Sequence, residues 1–395
     1  MCQRLRISLV TETFFPQVNG VSRTLDRLVK YCTEQGDRLH LLMPRYKNEI
    51  PNTQPGLEID DWHSVPLPFY PEVVLPLVTA NAATNALRRY QPDIVHIATE
   101  GPLGRAALIA CRRLNLPVVS SYHTNFPQYL EMYRAGVLAP VCWRYLRWFH
   151  NATSMTFCPT PSIRTLLEQK GFRNVEVWGR GVDCYRFDPG KRDQNLRESL
   201  GLKPEDVLML YVGRLAAEKN LNMLMDAWRQ LPNRKNCRLI FVGDGPLRKK
   251  LEETTDCQTI FAGYRYGEEL ARMFASSDLF VFPSLSETFG NVVLEAMASG
   301  LPTVSFNVQG PGDIIQDGTT GQLVKTIGAK ELMEAMHLLS SNATMRRNMG
   351  TMARKHAENQ NWGRIMAGLR NHYLSTGDSQ AKSLTRSLQA EQPIA

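Results

Sequence analysis

The sequence predicts an α/β protein built from two doubly wound, Rossmann-like domains. Three observations support this prediction: short runs rich in β-branched residues, helical stretches that alternate with them, and the repetition of that rhythm in both halves of the chain. The runs are mostly apolar throughout, as expected for strands covered on both faces. Strands that alternate with helices favour parallel sheets with helices on each side.

Each half supplies its own candidate strands, in chain order. The first half contains "RISLV", "RLHLLM", "DIVHIA", "PVVSSY", "SMTFC" and "VEVW", and the second contains "VLMLYVG", "RLIFVG", "QTIFAG", "LFVFP", "PTVSF" and "GQLV". Helical stretches such as "VSRTLDRLVKYCTEQG" and "GEELARMFASSD" separate them. Two such domains facing each other would leave a cleft, which is a favoured place for a ligand.

A polar segment marks the expected boundary between the domains. The stretch "DPGKRDQNLRESLGLKPED" is rich in charge, Pro and Gly. We therefore expect one domain over 1–187 and a second over 188–360. A helix over 361–375 is expected to return to the first domain, and the polar residues 376–395 to form a disordered tail.

The composition excludes several classes of protein. The chain has 395 residues, 43% of them hydrophobic, so it can form two cores. It contains no run of 18 apolar residues that would predict a transmembrane helix. Its N-terminus does not have the pattern of a signal peptide. The eight cysteines are scattered without a Cys-x-x-Cys pair, which predicts reduced thiols, a cytoplasmic protein and no zinc site.

The net charge of +8 favours an anionic partner. Nucleic acid, an anionic membrane surface and a phosphorylated small molecule all fit this charge, as does a mildly basic surface with no specific partner. The basic residues are spread along the chain and no nucleic-acid recognition motif is present, so we expect no nucleic-acid partner.

Ligands of open α/β sheets bind just past the carboxyl ends of the strands. In the first half, Asn19 and Gly20 follow the strand "RISLV" and precede a predicted helix at Val21. Gly20 permits a tight turn that brings backbone N–H groups close to a ligand. In the second half, Arg214 and Lys219 follow a strand in "YVGRLAAEKNL". Two cations there suit a diphosphate, and the alternative is an exposed loop in which Lys219 pairs with a nearby acid.

Two further loops of the second half carry glycines. Gly243 and Gly245 in "VGDGPLRKK" do not form a Gly-x-Gly-x-x-Gly fingerprint, but they indicate close backbone approach, by a planar base or a ribose for example. The other loop precedes a helix in "SETFGNVVLEAMASG", where the N–H groups of Phe289, Gly290 and Asn291 form a natural phosphate site.

Two glutamates accompany that last loop. Glu295 lies in an otherwise apolar helix, where a carboxylate needs a partner. Because helical side chains lean toward the N-terminus, it is aimed at the same ligand, and ribose hydroxyls are one candidate partner. An internal Arg or Lys is the other. Glu287, in the loop itself, would reach a different part of the ligand.

These motifs together resemble the retaining glycosyltransferases of family 4, which have the GT-B fold of two facing Rossmann-like domains. The resemblance rests on "GRLAAEKN" and on the two glutamates with seven residues between them in "ETFGNVVLEAMASG". It includes "PQVNGVSRTL", "SYHTNFPQY", "RGVDCYRFDP", "VGDGP" and "GPGDIIQDGTTG", so it extends from about residue 6 to 330. Any one of these motifs is weak evidence, whereas all of them in order are specific.

The resemblance implies a role for each donor-site residue. Arg214 and Lys219 would neutralise the donor diphosphate, Glu295 would hold the ribose, and Glu287 would bind hydroxyls of the transferred sugar. The backbone of 289–291 would touch sugar and phosphate, and that of Gly243 the nucleotide. Such enzymes typically need no metal or other cofactor, and the chain has no Asp-x-Asp triplet. Positive side chains and a helix N-terminus would stabilise the departing diphosphate.

The resemblance also implies roles outside the donor loops. Gly20 would lie at the diphosphate from the first domain, and His123 would lie near the reacting carbon. A histidine that ends a buried strand is also often a structural residue. Asn19, Tyr129 and Asp183 are expected at acceptor or interdomain positions.

The acceptor is expected to bind the first half of the chain. Within 134–151, the segment "RAGVLAPVCWRYLRWFHN" combines aromatic residues with Arg144 and Arg147, a composition suited to a lipid headgroup interface. Ordinary core packing is the competing interpretation. The segment "HTNFPQYLEMYRAGVLAPVCWRYLRWFHN" is most similar to the GDP-mannose-dependent mannosyltransferases and glycolipid-forming enzymes of the family. This similarity favours GDP-mannose as donor and a lipid or glycolipid acceptor, reached by peripheral contact with the anionic inner face of a membrane.

Three alternatives remain open from the sequence. A UDP-sugar-dependent enzyme of glucosyl or sulfoquinovosyl type would have the same fold, as would a synthase that uses a soluble glycan acceptor. A nicotinamide-dependent dehydrogenase fits two Rossmann-like domains but lacks the dinucleotide fingerprint.

Overall fold

The computed structural model describes residues 3–17, 19–46, 56–67, 70–128 and 136–390, with no side-chain description for 67, 70–73 and 378–390. The chain forms two compact units. It passes from the first unit to the second between Gly179 and Arg180 and returns to the first unit at Gly363. The sequence prediction placed the first boundary at 187 and 188. It lies earlier because Val182 and Phe187 pack in the core of the second unit.

The first unit contains a parallel seven-stranded sheet with strand order β3-β2-β1-β6-β7-β8-β9. A separate antiparallel pair, β4 and β5, accompanies it. The strands are β1 (Arg6–Val10), β2 (Arg38–Pro44), β3 (Leu57–Trp62), β4 (Ser64–Leu67), β5 (Tyr70–Pro76), β6 (Ile94–Ile97), β7 (Val118–Ser121), β8 (Met155–Cys158) and β9 (Val175–Val177). The helices are α1 (Gly20–Glu34), α2 (Ala80–Tyr90), α3 (Pro102–Leu114), α4 (Ala139–His150) and α5 (Pro161–Gln169).

The second unit contains a parallel six-stranded sheet with strand order β12-β11-β10-β13-β14-β15. Its strands are β10 (Val207–Val212), β11 (Cys237–Val242), β12 (Thr259–Gly263), β13 (Leu279–Phe282), β14 (Thr303–Phe306) and β15 (Gly321–Val324). Its helices are α6 (Gln194–Ser199), α7 (Leu221–Arg229), α8 (Arg248–Glu253), α9 (Gly267–Ser276), α10 (Asn291–Ala298), α11 (Pro311–Ile314), α12 (Ala329–Ser341) and α13 (Ala343–Glu358).

Burial explains why the strands read as continuous apolar runs. Every residue of β10 is buried, and so is every residue of β13, because helices cover both faces of the sheet. The prediction of an α/β fold with two Rossmann-like halves is confirmed.

The final helix, α14 (Trp362–Ala390), belongs largely to the first unit. Its Arg370 donates hydrogen bonds of 2.7 Å to both carboxylate oxygens of Asp37, and its Tyr373 hydroxyl lies 2.5 Å from Nδ1 of the buried His96. The sequence prediction ended the helix at 375 and expected disorder beyond it. The structure instead extends the helix to Ala390, which the chain permits because no proline lies between 376 and 390.

Candidate active site

Four loops of the second unit follow the carboxyl ends of adjacent parallel strands. The strands β12, β11, β10 and β13 are neighbours in that order, so their loops form a continuous row along one edge of the sheet. This edge is where ligands bind in open α/β sheets. Most of the candidate donor residues predicted from sequence lie in this row.

The loop after β10 carries Arg214 and Lys219. The hydroxyl of Tyr211 donates a hydrogen bond of 3.1 Å to the backbone carbonyl of Arg214. Burial, followed by the nearby charges of Glu287 and Glu218, raises the pKa of Tyr211 well above its usual value, so the phenol stays protonated as a donor. Lys219 ends a short 3-10 helix over Ala217–Lys219. The buried strand therefore fixes the start of the loop that carries both cations.

Lys219 forms an ion pair with Glu287, which lies in the loop after β13. Oε1 of Glu287 also accepts a hydrogen bond of 2.8 Å from the hydroxyl of Ser284. The side chains of Lys219 and Glu287 are only 17% and 15% exposed. Glu287, itself one of the candidate catalytic residues with His123, Arg214 and Lys219, is thus the acid that pairs with Lys219.

The loop after β13 leads directly into α10, which begins at Asn291. Gly290 has φ +95°, a conformation that strains any residue with a Cβ, so glycine is required at this turn. Among the described residues, the buried Oδ1 atom of Asn291 has no hydrogen-bond partner. Phe289 precedes this turn and Glu295 is the fifth residue of α10, and both are partly exposed.

The close approach indicated by Gly243 involves the protein itself. A Cβ on Gly243 would lie 2.0 Å from the carbonyl oxygen of Gly213, and one on Gly245 would lie 2.5 Å from that of Leu215. The loops after β10 and β11 are therefore packed backbone against backbone. The backbone N–H of Leu215 also donates to the carbonyl of Asp244 at 2.9 Å. Gly243 thereby fixes the shape of the site edge.

In the first unit, Asn19 caps α1. Its side-chain oxygen accepts hydrogen bonds of 2.9 Å from the backbone N–H groups of Val21 and Ser22, and Gly20 is the first residue of the helix. His123 follows β7 and is 7% exposed, with its ring centroid 5.7 Å from that of Trp178.

The remaining predicted positions divide between a turn and a segment that is not described. Asp183 lies in the second unit, where its side chain accepts a hydrogen bond of 3.1 Å from the backbone N–H of Arg186. Tyr129 lies outside the described residues.

Glu12, which follows β1, was missed among the residues predicted from the sequence. Its carboxylate accepts hydrogen bonds from the backbone N–H groups of Gly101, Leu103 and Gly104 at the start of α3. Burial raises the pKa of Glu12, and the hydrogen bonds oppose that shift. The N-terminus of α3 is thus occupied by the carboxylate of Glu12. An acidic residue two positions after a buried strand was the available signal.

Ser284 was also missed. It is fully buried and holds the Glu287 carboxylate, but a serine in a loop gives no sequence signal of such a contact. Across the described residues, no group of three or more His, Cys, Asp or Glu side chains is arranged to hold a metal ion.

Comparison with known proteins identifies the class to which this site belongs. Residues 18–186 match the family model described as Glycosyltransferase Family 4, and residues 192–356 match the one described as Glycosyl transferases group 1. The chain is 34% identical over 373 residues to a GDP-mannose-dependent alpha-mannosyltransferase of Corynebacterium glutamicum, covering 93% of this chain and 88% of the relative. It is 33% identical over 379 residues to the sulfoquinovosyl transferase SQD2 of Arabidopsis thaliana, covering 94% and 73%.

A solved structure of another protein has the same fold as this chain. Sucrose-phosphate synthase of Thermosynechococcus elongatus superposes with a TM-score of 0.78 at 18% identity, over 95% of this chain and all of that chain. Fold and sequence together define a glycosyltransferase with the GT-B fold, which transfers a sugar from a nucleotide-sugar donor. The chain belongs to glycosyltransferase family 4. The dehydrogenase interpretation is thereby dismissed.

Proposed function

We propose that the protein is a retaining, metal-independent hexosyltransferase that moves mannose from GDP-mannose to a lipid or glycolipid acceptor at a membrane surface. The name of the Corynebacterium relative supports the donor. The observation that carries the proposal is the Lys219–Glu287 pair beside the start of α10, because it brings a diphosphate-binding cation and a sugar-binding carboxylate together.

The diphosphate would be bound by the protein's own positive groups. Lys219 and Arg214 lie on the loop after β10, and the start of α10 adds the partial positive charge of a helix N-terminus. As the sugar departs, negative charge develops on the diphosphate, and fixed positive groups stabilise it without reorganising. These groups would supply the electrostatic stabilisation that a metal ion supplies in other transferases.

Glu287 would orient the sugar. Two donors, Lys219 and Ser284, hold its Oε1 atom, so the carboxylate keeps one position and can accept sugar hydroxyls. Transfer then proceeds on one face of the sugar. The acceptor oxygen bonds to the anomeric carbon, the bond from that carbon to the diphosphate breaks, and the acceptor proton passes to the departing diphosphate oxygen. We place His123 near this carbon on the basis of the family resemblance.

The acceptor assignment is supported by an exposed apolar surface at the start of α4. Val137, Leu138 and Val141 are 86%, 53% and 67% exposed, and Arg144 and Arg147 lie on the same segment. Apolar side chains flanked by arginine suit the boundary between acyl chains and anionic headgroups.

Two aromatic residues of that segment point inward. Phe149 is fully buried, and the ring of Trp143 stacks on that of the buried Tyr122. The segment therefore combines core packing with an exposed apolar surface. No helix within the part of the chain that the structure describes is long and apolar enough to cross a membrane.

Radiolabelled transfer tests the donor and the acceptor together. The enzyme is incubated with GDP-mannose or with UDP-glucose, in the presence of vesicles that contain diacylglycerol and phosphatidylglycerol. We expect label in the lipid phase from GDP-mannose and none from the Glu287→Ala variant. Label from UDP-glucose alone would favour the UDP-sugar alternative. Label from a sulfoquinovosyl donor, the sugar named for the Arabidopsis relative, would favour the same alternative. Label only in a soluble glycan would overturn the lipid acceptor.

Membrane contact is tested separately by co-sedimentation with the same vesicles. Val141→Asp should weaken vesicle binding at least severalfold, because a charge then replaces an apolar contact. Met352→Asp is the matched control, since Met352 is an exposed apolar residue of α13 in the second unit. Equal binding by both variants would contradict the assigned surface.

A further inference from the structure

Helix α10, whose N-terminus is proposed to bind the diphosphate, is short and has no side-chain cap of its own. It has eight residues, no basic residue in its last turn and no side-chain hydrogen bond at its N-cap. A helix this short depends on tertiary packing for its stability and its position. The groups that pack against its C-terminus therefore also set where its N-terminal N–H groups lie.

A glycine brings α13 into backbone contact with the end of α10. A Cβ on Gly350 would lie 2.0 Å from the carbonyl oxygen of Gly300, which lies two residues beyond the last residue of α10. Gly350 is itself buried. Any larger residue at this position would push the two helices apart, so α13 rests directly on the turn that ends α10.

An arginine of α13 supplies a further hydrogen bond at this end. The backbone N–H of Gly300 donates to the carbonyl of Met297 at 3.0 Å, within the turn itself. The carbonyl of Ala298 instead accepts a hydrogen bond of 2.6 Å from Nη1 of Arg354. The last carbonyls of a helix have no partner inside it, and arginine is one of the side chains that satisfy them. Arg354 therefore caps α10 from a neighbouring helix.

The same guanidinium holds the segment through which the chain enters the second unit. Nη1 also donates to the backbone carbonyls of Phe187 at 2.7 Å and Cys184 at 3.2 Å, and Nη2 pairs with Asp188 at 3.0 Å. Phe187 is part of the core of this unit. Arg354 thus joins α10 to a fixed point of the core, which the several donors of a planar guanidinium can do and a lysine cannot.

Arg354 acts on the donor through the position of α10 and not through its own charge. Eight residues at 1.5 Å each make α10 about 12 Å long, which exceeds the Debye length of about 8 Å at physiological ionic strength. Asp188 and Glu358, which pair with Arg354 at 3.0 Å and 2.7 Å, offset its charge further. Its direct attraction for the diphosphate is therefore weak, whereas a small shift of α10 alters every contact at its N-terminus.

We propose that Arg354 is a positioning residue that fixes α10 for binding of the donor diphosphate. The proposal rests on the function proposed above and extends it to a side chain at the opposite end of the helix. With Gly350, Arg354 holds the helix so that its N-terminal N–H groups meet the departing diphosphate without reorganising.

Arg346 provides a matched control on the same helix. Its Nη1 donates to the carbonyls of Leu339 at 2.7 Å and Ser340 at 3.1 Å, near the end of α12. It therefore caps a helix in the same way as Arg354. However, α12 follows β15, which is not one of the four strands whose loops form the candidate site.

Titration calorimetry with GDP and with inorganic pyrophosphate tests the proposal. Arg354→Ala should weaken the binding of both ligands by about fivefold, because they share the diphosphate that α10 contacts. Arg346→Ala should leave both affinities unchanged, although its Tm should fall by a similar amount. Arg354→Lys retains the charge but not the several donors, so its affinities should stay close to those of Arg354→Ala.

Hydrogen exchange in the absence of ligand is the second measurement. Arg354→Ala should speed exchange of the amides of 293–298, because the end of α10 is then less firmly held. Arg346→Ala should leave these amides unchanged. Unchanged exchange in Arg354→Ala would overturn the inference without any reference to the ligand.

The binding outcomes separate this inference from the proposed function. GDP and pyrophosphate binding that Arg354→Ala leaves unchanged would overturn the inference and leave the transferase proposal intact. Equal weakening in Arg346→Ala would also overturn it, because a general loss of stability would then explain the effect. Full recovery in Arg354→Lys would do the same, since the charge would then be sufficient. A wild type that binds neither ligand would overturn both proposals.

Discussion

Ser284 donates a hydrogen bond of 2.8 Å to the same Glu287 oxygen that pairs with Lys219. Ser284 is fully buried two residues after β13, so the contact joins the buried start of this loop to the candidate sugar-binding carboxylate. Ser284 is therefore a positioning residue for Glu287.

Ser284→Ala should lower kcat by about tenfold with little change in KM for the donor, because a hydrogen bond to a charged group is lost. Steady-state kinetics measure the effect, and Ser284→Thr should restore most of the rate. Ser286→Ala is the matched control, since its hydroxyl contacts the carbonyl of Glu218 and not Glu287. Equal losses in the two alanine variants would point to general damage of the loop.

Glu287→Ala should abolish transfer and leave nucleoside diphosphate binding largely intact. The carboxylate is assigned to the sugar, so the loss should appear in turnover and not in the dissociation constant for GDP. Calorimetry with GDP and a transfer assay are run on the same preparation. Loss of GDP binding would contradict the sugar-contact role.

Lys219→Ala should weaken GDP binding by at least tenfold, and Arg214→Ala should act in the same direction, because each removes a cation from the proposed diphosphate site. Lys219→Ala should also slow transfer, since Glu287 loses its ion-pair partner. Lys330→Ala, which removes a lysine that is 73% exposed, is the control for net charge. Unchanged GDP affinity in both site variants would contradict the proposal that this loop binds the diphosphate.

Glu295→Ala should weaken GDP binding, and the weakening should disappear with 2′,3′-dideoxy-GDP. The ribose hydroxyls are the assigned partners of this carboxylate, so a ligand without them has nothing further to lose. Four dissociation constants form a double-mutant cycle that isolates the contact. Additive effects of the residue change and the ligand change would mean that Glu295 does not contact the ribose.

The buried thiols should resist alkylation in the folded protein. Burial raises the pKa of Cys32 and that of Cys111 to about 12, so both thiols stay protonated at pH 8, whereas Cys257 is exposed. Because the thiolate is the reactive form, iodoacetamide at pH 8 should label Cys257 in the folded protein and Cys111 only after unfolding. Peptide mass spectrometry reads out the order. Rapid native labelling of Cys111 would show that its helix opens readily.

The fold class could be predicted because burial on both faces leaves a direct trace in the sequence. The strand β10, for example, is apolar along its whole length and buried along its whole length. The end of α14 could not be placed in this way, because a polar segment carries no sign of whether a helix continues through it.

The residues at this edge of the sheet could be predicted from the sequence, whereas the contacts between them could not. Strand order brings Arg214, Lys219 and Glu287 to one edge, and motif spacing identified all three. The pairing of Lys219 with Glu287 depends on the exact conformation of two loops that are far apart in the chain. Gly243 signalled close backbone approach, but the approaching group, the carbonyl of Gly213, could only be identified in three dimensions.

The most direct test of the account is the thermal stability of the purified protein with GDP, UDP, ADP or NAD⁺, each at saturating concentration. A ligand at about 100 times its dissociation constant stabilises the folded state by roughly 2.7 kcal/mol, which is readily measured. We expect the largest shift with GDP and loss of most of that shift in Lys219→Ala. Stabilisation by NAD⁺ alone, or a GDP shift that Lys219→Ala leaves unchanged, would contradict it.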